Sequence, residues 1–351
     1  MTDRPGWLAD PCLPIDAMAA DTARRRQDQL TKPPGSLGRL EEVAIRLAGL
    51  QGTASPSPDP VQILLFAADH GVAAEGVSAF PQAVTNQMVR NIAAGGSAIS
   101  VLARALDARI EVLDLGTVAD PGPLAGVRSE RLGPGTGNIL HEPAMRDGQV
   151  VAAMNLGRAA AERAVDSGAR LLIGGEMGIA NTTVATALAC ALLGVPATEL
   201  AGPGTGLEPD GVAHKAQVIA QAVALHAAPN QTPLELLRRL GGFELAALTG
   251  AFITAAQRGL PILVDGFVVT AAALAAVRLQ PEVRHWMLFS HESAEPGHRR
   301  MLEALDADPL LDLALRLGEG TGAAAVVPLL RLACALQREM ATFDEAGVSG
   351  G

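Results

Sequence analysis

The sequence predicts an α/β fold in which a Rossmann-like parallel sheet is flanked by helices, with a small helical domain formed from both termini. Short apolar runs bounded by turn residues alternate with helical patterns through the middle of the chain, as buried parallel strands do. The two terminal regions show helical patterns and no strand pattern. Hydrophobic residues make up 49% and charged residues 18% of the 351 residues, which indicates a dense globular protein.

Five apolar runs are the predicted strands, and polar or glycine residues follow each of them. The runs are 61–67, 110–115, 171–173, 261–264 and 286–289. The residues that follow are Asp69-His70-Gly71, Gly116-Thr117, Gly175-Glu176, Asp265-Gly266 and Ser290-His291. Ligands of open α/β sheets bind at the carboxyl ends of the strands, so we expect one site there.

The helical ends of the chain set the predicted domain bounds. Residues 14–50 look helical apart from an interruption at 32–38, and the region from about 300 onward is interrupted at 317–322. A linker rich in proline and serine occupies 53–60. We therefore expect a small helical domain built from 1–58 and 300–351, beside a large α/β domain of 59–299.

The segment 171–183 (LLIGGEMGIANTT) carries the most information. An apolar strand is predicted to enter a glycine-rich loop with Glu176, and Asn181, Thr182 and Thr183 then stand where a helix would begin. A helix start attracts anions, above all phosphate, whereas the carboxylate of Glu176 repels them. The segment favours a ligand with a phosphate at one end and a cationic or N–H-bearing group at the other.

Three further glycine-rich loops lie at 133–138, 202–206 and 318–322. None is followed by the Gly-Lys-Ser/Thr of a Walker loop, and a dinucleotide fingerprint is absent after the first strand. Glu319 is flanked by glycines and precedes an apolar run, an arrangement that desolvates a carboxylate and makes it a better base. A turn or capping carboxylate is the alternative.

Lys215 opens a helical run shortly after the 202–206 loop, where it could pair with a phosphate or with Glu176, or be a surface lysine. Asp69 and His70 are expected to hold the strand-end loops by hydrogen bonds. We expect no metal, because the chain has seven histidines and none has a second ligand at helical spacing. Asp265 is expected at the mouth of the site, and no cofactor is predicted.

The charge and the apolar pattern exclude several classes of partner. A net charge of −10 argues against nucleic acid and against an anionic membrane surface. No apolar run reaches the roughly 18 residues of a membrane span, and the first residues lack a signal pattern, so a cytoplasmic location is expected. The three cysteines are widely spaced and show no zinc spacing, which favours inert thiols.

Six motifs, in order along nearly the whole chain, resemble the nicotinate-nucleotide–dimethylbenzimidazole phosphoribosyltransferases. They are KPPGSLGRL at 32–40, ADHGV at 68–72, GEMGIANTT at 175–183, LVDGF at 263–267, SHESAE at 290–295 and RLGEGTGA at 316–323. The resemblance implies transfer of the phosphoribosyl group of nicotinate mononucleotide to 5,6-dimethylbenzimidazole with inversion, which gives α-ribazole 5′-phosphate and nicotinate. It also implies a homodimer in which the small domain of one subunit helps to close the site of the other.

The resemblance assigns roles to residues of this sequence. Glu319 would remove the N–H proton of the incoming base, with Glu176 and Lys215 also in the active site and no metal required. The residues implied for substrate and phosphate binding are Gly178, Asn181, Thr182, Thr183, Gly202, Gly204, Thr205, Gly206 and Ser290. The residues implied for the base pocket are Phe80, Gln82, Gln87, Met88, Asp265 and Gly320.

The segment 78–90 varies within the family, so the natural base could be dimethylbenzimidazole or a related benzimidazole, a purine or a phenol. The chain has no tyrosine, and stacking must come from Phe, Met and aliphatic side chains. Two other functions are compatible with these loops. One is a non-catalytic carrier or sensor of a nucleotide or benzimidazole, and the other is a nucleotidase.

Overall fold

The computed structural model describes residues 4–349 and contains a six-stranded, fully parallel sheet. The strands are β1 (Val61–Ala68), β2 (Arg109–Gly116), β3 (Val127–Ser129), β4 (Leu171–Met177), β5 (Ile262–Val264) and β6 (Met287–Phe289). They lie in the order β3-β2-β1-β4-β5-β6. The chain therefore reverses its direction of travel across the sheet between β1 and β4, the position where doubly wound folds bind ligands.

Helices connect and cover the strands on both faces, which confirms the predicted Rossmann-like α/β architecture. They are α1 (Ala17–Gln29), α2 (Arg39–Gln51), α3 (Ala83–Ala93), α4 (Ala98–Ala105), α5 (Asp147–Asp166), α6 (Asn181–Leu193), α7 (Ala197–Leu200), α8 (Pro209–His226), α9 (Pro233–Leu240), α10 (Phe243–Gln257), α11 (Phe267–Leu279), α12 (His298–Ala304), α13 (Thr321–Glu339) and α14 (Phe343–Ala346). Short 3₁₀ helices lie at Gly6–Ala9, Gly71–Glu75 and Pro281–Trp286. None of the helices between residues 4 and 349 is long and apolar enough to cross a membrane.

All five predicted strands are present, and β3 is the strand that the sequence did not reveal. It has three residues, lies at the sheet edge and is half-exposed to exposed. A strand of this kind needs no apolar run, so its sequence carries no periodic signal.

The prediction that Glu176 lies in a loop after the strand is wrong, because β4 continues to Met177. Glu176 pairs with Phe66 of β1. The glycines before it serve close packing instead of a turn. A Cβ on Gly174 would lie 2.7 Å from Leu248 Cδ2, and one on Gly175 would lie 2.5 Å from the carbonyl oxygen of Glu319.

Two hydrophobic cores form because successive side chains of a strand point to opposite faces of the sheet. In β1, Leu64 and Phe66 pack in the core shared with α5, α6, α10 and α11. Ile63 and Leu65 pack in the second core, with α2, α4 and α13.

Helices from both ends of the chain contact one another, as the sequence predicts. Gln27 Nε2 in α1 donates to Gln337 Oε1 in α13 at 2.6 Å. However, Leu47 of α2 and Leu330 of α13 belong to the same core as Ile63 of β1. The terminal helices thus lie against one face of the sheet, and their separation as a domain stays a prediction.

Candidate active site

A cavity of about 250 Å³ opens at the carboxyl ends of β4, β5 and β6, beside the point where the strand order reverses. The cavity lies at the edge of the sheet where the polar residues that follow the strands predict a site. Eight of the residues predicted for the site line it, namely Phe80, Glu176, Gly178, Asn181, Thr182, Gly204, Thr205 and Asp265. His291, one of the residues that follow the strands, also lines it, and further lining residues not predicted for the site include Ile179, Val268, Ser293, Glu295, Arg316 and Leu317.

The predicted helix start is present and opens α6 at Asn181. The preceding Ala180 has φ 73°, so the chain turns sharply out of β4. The N–H groups of Asn181 and Thr183 are used within this turn, on the carbonyls of Gly178 and Ala180. Thr183 is fully buried and does not line the cavity, whereas Thr182 does.

Lys215 of α8 is completely buried behind Thr182. Its Nζ donates to Thr182 Oγ1 at 2.8 Å and to the carbonyl of Gly202 at 3.1 Å. It therefore contacts the two predicted phosphate-binding segments, and not Glu176 as one interpretation of the sequence suggested. Burial lowers the pKa of Lys215 from 10.5 to about 8, against the opposing effect of Glu295.

Glu295 and Arg316 join the 202–206 loop to the cavity, and the sequence did not identify them as site residues. Glu295 Oε1 accepts the N–H of Gly204 at 2.8 Å, and Arg316 Nη1 donates to the carbonyl of Gly204 at 3.2 Å. Burial raises the pKa of Glu295, while Lys215 and Arg316 oppose the shift. Glu295 lies in the motif SHESAE and Arg316 lies in the motif RLGEGTGA. Membership of these motifs is the sequence signal that could have identified them as site residues.

Of the glycines in this loop, Gly204 lines the cavity, whereas Gly202 and Gly206 do not. A Cβ on Gly202 would collide with the carboxylate of Glu295. Gly204 and Gly206 have φ of 54° and 111°, which favour glycine. A Cβ on Gly204 would also lie 2.7 Å from Thr182 Oγ1 and 3.1 Å from Lys215 Nζ, so the loop lies directly on the buried amine.

Glu176 contributes a carboxyl group to the cavity wall. It accepts a hydrogen bond from Asn181 Nδ2. Burial raises the pKa of Glu176 well above 4.5, and the charges of Glu244, Asp265 and Glu319 raise it further. This carboxyl group therefore holds a proton to a higher pH than an exposed glutamate does.

Asp265 lines the cavity and also anchors the 318–322 loop. Its Oδ1 accepts the N–H of Ala323 at 2.8 Å, and its Oδ2 accepts that of Gly320 at 3.2 Å. His291 Nδ1 lies 3.9 Å from Asp265 Oδ1. Burial raises the pKa of Asp265, and His291 opposes the shift. Gly320, predicted for the base pocket, is held by this contact and is buried against Ile173.

Glu319 lies behind the cavity wall that Gly318 forms. Its Oε2 accepts the N–H of Ile99, in the first turn of α4, at 3.4 Å. Glu319 has a φ of 61°, which is uncommon for a residue with a side chain. Its two neighbours, Gly318 and Gly320, also have positive φ. Burial raises the pKa of Glu319, with the Ile99 and Ser97 contacts opposing the shift. The sequence predicted a desolvated carboxylate, and this direction agrees.

In the segment after β1, Phe80 lines the cavity. Thr205 Oγ1 accepts the N–H of Ala79 at 3.0 Å and lies 3.0 Å from Ser78 Oγ. Of the other residues predicted for the base pocket, Gln82 donates to the carbonyl of His70 at 2.7 Å. Gln87 and Met88 lie in α3, outside the cavity wall.

Polar residues beneath the cavity hold the strand ends together. Asp69 accepts hydrogen bonds from Thr85 Oγ1 at 2.6 Å and from the N–H of Val118 at 2.8 Å, as expected. His70 Nε2 lies 3.1 Å from Glu244 Oε1, with both side chains fully buried. Ser290 is buried, and its Oγ lies 3.0 Å from His291 Nδ1. Within residues 4–349, no group of His, Cys, Asp and Glu is arranged to hold a metal.

Known proteins resemble this chain over almost its full length. The nicotinate-nucleotide–dimethylbenzimidazole phosphoribosyltransferases of Pseudomonas putida KT2440 and Ectopseudomonas mendocina ymp are 59% and 60% identical over 343 residues, covering 98% of each chain. The crystal structure of CobT from Thermus thermophilus superposes with a TM-score of 0.92 at 49% identity, covering 95% of this chain and 100% of that one. The family model DBI_PRT, described as a phosphoribosyltransferase, matches residues 12–348, and the chain belongs to this phosphoribosyltransferase family.

Proposed function

We propose that this protein transfers the 5-phosphoribosyl group of nicotinate mononucleotide to 5,6-dimethylbenzimidazole with inversion, giving α-ribazole 5′-phosphate and nicotinate. The observation that carries the proposal is one cavity with two chemically different walls. Thr182 and Gly204, with Lys215 directly behind them, offer polar and cationic groups to a phosphate. Glu176 and Asp265 offer carboxyl groups to a cationic or N–H-bearing ring.

The reaction needs little from the protein beyond orientation and proton removal. The ribose C1′ of the donor is bonded to a pyridinium nitrogen, so nicotinate leaves with the bonding electron pair and its ring becomes neutral. The benzimidazole nitrogen attacks C1′ from the opposite face. Its other nitrogen must lose a proton, which a carboxylate accepts. No metal step is required for this balance.

Glu319 is proposed as the proton acceptor, with Glu176 in a supporting role. Both groups have pKa values raised by burial, which makes each a stronger base than an exposed glutamate. The family resemblance assigns the base role to Glu319. Its weak contact with Ile99, at 3.4 Å, is one that rotation of the side chain toward the cavity would break.

A homodimer belongs to the same proposal, because the family resemblance implies it. Two apolar side chains at the mouth of the cavity, Phe80 and Leu317, are 52% and 62% exposed and would be covered by a second subunit. Light scattering coupled to size-exclusion chromatography tests this part. A monomeric mass at micromolar concentration, in a preparation that retains activity, would exclude it.

A nicotinate-release assay tests the proposed function. Purified protein mixed with nicotinate mononucleotide and dimethylbenzimidazole should release nicotinate and α-ribazole 5′-phosphate in equal amounts. A carrier or sensor would release neither, and a nucleotidase would release phosphate without needing the base. A panel of benzimidazoles, purines and phenols in the same assay identifies the preferred acceptor.

Glu319→Gln should lower kcat by roughly 10²- to 10⁴-fold, the usual contribution of a positioned general base, and should leave donor binding intact. The matched variant Glu176→Gln removes the carboxylate on the cavity wall and separates the two roles. If Glu319→Gln keeps near wild-type turnover over a broad pH range while Glu176→Gln loses it, Glu176 is the base.

A further inference from the structure

A second cavity, of about 190 Å³, lies between α2 and the edge strand β6 and shares no residue with the active-site cavity. Arg39 and Arg46 of α2 face it from one side, and Arg284 of the 3₁₀ helix Pro281–Trp286 faces it from the other. Val43 and Phe289 contribute apolar wall. Three guanidinium groups thus line one small cavity, together with the carboxyl groups of Glu42, Asp306 and Asp308.

The three arginines differ in their partners. Arg39 is paired, since its guanidinium contacts the Asp308 carboxylate and lies 3.3 Å from Glu42. Arg46 and Arg284 form no ion pair with any carboxylate among residues 4–349, and they bond to backbone carbonyls instead. Arg46 Nη2 donates to Met287 O at 2.6 Å. Arg284 donates to the carbonyls of Leu305 and Asp306 at 2.5 Å each, and its Nη1 donates to Met287 O at 3.4 Å.

The acidic residues at this cavity do not neutralise the positive charge inside it. The side chains of Glu42 and Asp308 are 71% and 79% exposed, so water screens them, and both already face Arg39. Asp306 is also exposed, although its charge does favour the protonated form of Arg284. Burial together with the charges of Arg284 and Arg39 lowers the pKa of Arg46 to about 10, as expected for a cation without a counter-ion.

Arg46 uses one of its five N–H groups on the protein, and Arg284 stacks over the Phe289 ring at 5.0 Å, which fixes its plane. Planar guanidinium groups with free N–H donors match the oxygens of a phosphate. We propose that the cavity between α2 and β6 is a second binding site, for a small oxyanion such as inorganic phosphate, held by Arg46 and Arg284. The bound anion supplies the missing counter-charge.

Phosphate-dependent thermal unfolding tests the proposal on the full chain. Nicotinate mononucleotide is kept saturating so that the active site is occupied, and phosphate replaces chloride at constant ionic strength. Phosphate at ten times its Kd should raise the Tm of the wild type by about 2 °C. Arg46→Gln should lose this shift, whereas the control Arg109→Gln should keep it. Arg109 is an exposed arginine that likewise donates to a backbone carbonyl, that of Ser167, at 2.9 Å.

If Arg46 only caps the carbonyl of Met287 on the edge strand, its replacement should lower Tm by the same amount with and without phosphate. An equal phosphate shift in Arg46→Gln and wild type would therefore overturn the proposal. If Arg46→Gln fails to fold, wild-type crystals soaked in selenate decide the question by anomalous scattering. A peak between Arg46 and Arg284 supports the site, and its absence in crystals that show selenate at Thr182 and Gly204 rejects it.

Discussion

At the scale of single residues, Lys215 shows how burial changes the contacts and the pKa of a lysine behind the candidate site. The amine has no exposed surface, yet it holds the helix start at Thr182 and the loop carbonyl of Gly202 together. A buried ammonium is costly without compensating charge, and its pKa falls accordingly to about 8. A dianionic phosphate bound next to it would supply that charge.

We predict that kcat/KM for nicotinate mononucleotide falls about tenfold per pH unit above about pH 8. Lys215 is charged below its pKa, and the phosphate is already fully ionised in this range, so deprotonation of the lysine is the event that weakens binding. Lys215→Met should lower kcat/KM and remove this alkaline decline. Initial-rate assays from pH 6 to 10 measure both effects. A decline that persists unchanged in Lys215→Met would assign it to another group.

Glu176 is predicted to reduce the stability of the protein at neutral pH. Its folded pKa lies above its ordinary value of 4.5, so the folded state binds more protons than the unfolded state between these two values. The free energy of unfolding therefore falls as pH rises through that window. Glu176→Gln keeps an acceptor for Asn181 and should raise stability by about 1 kcal/mol at pH 7, with the gain shrinking toward pH 4.5.

Urea unfolding at pH 7 and at pH 4.5 measures this difference. Glu303→Gln is the control, because its carboxylate is 57% exposed and should give no pH-dependent gain. The prediction fails if Glu176→Gln is less stable than the wild type at pH 7.

At the scale of elements, the glycines of this chain bring backbones together. Gly157 of α5 faces the backbone of Ala247, and Gly250 of α10 faces that of Met154, so the two helices cross in direct backbone contact. The strand glycine Gly175 likewise faces the backbone of Glu319, whereas Gly174 makes room for the Leu248 and Phe252 side chains of α10. The 38 glycines of the chain are compatible with close layers of this kind.

We predict that Gly157→Ala costs about 3 kcal/mol of stability, since its methyl group would overlap the carbonyl of Ala247. Gly148→Ala, in the same helix, provides the control because a Cβ there meets no atom within 4 Å. It should change stability by less than about 1 kcal/mol. Denaturant unfolding of the two variants gives the comparison. Equal stabilities would show that α5 and α10 can separate without cost.

The sequence indicated where the candidate site lies because polar residues follow the strands, and strand ends in a parallel sheet meet at one edge. Glu176, Thr182 and Asp265 were found this way. Glu295 and Arg316 were not, because their relation to Gly204 depends on loops whose path has no periodic signal. For the same reason the sequence left three alternatives for Lys215 open: a phosphate, Glu176 or an exposed position. Its contacts with Thr182 and Gly202 depend on the path of these loops. Gln87 and Met88 lie in α3, which begins at Ala83, and they do not line the cavity.

At the scale of the whole molecule, the sheet connects the two cavities and the terminal helices. The edge strand β6 has Met287, bonded to Arg46, at its amino end, and the loop that leads to Ser293 and Glu295 at its carboxyl end. The helices α2 and α13 pack with Ile63 and Leu65 of β1 in the second core, on one face of the sheet. The loop at 318–322 runs directly into α13, so the position of Glu319 depends on how that helix packs.

We predict that the terminal helices and the sheet unfold as one cooperative unit, because α2, α13 and β1 share a core. Leu47→Ala in α2 removes a fully buried side chain and should cost about 3 kcal/mol. Hydrogen exchange should show equal losses of protection in α2, α13 and β1. Leu332→Ala in α13, at a position 56% exposed, should leave protection nearly unchanged. If Leu47→Ala weakens α2 and α13 while β1 keeps its protection, the termini form a separate folding unit and the two-domain division holds energetically.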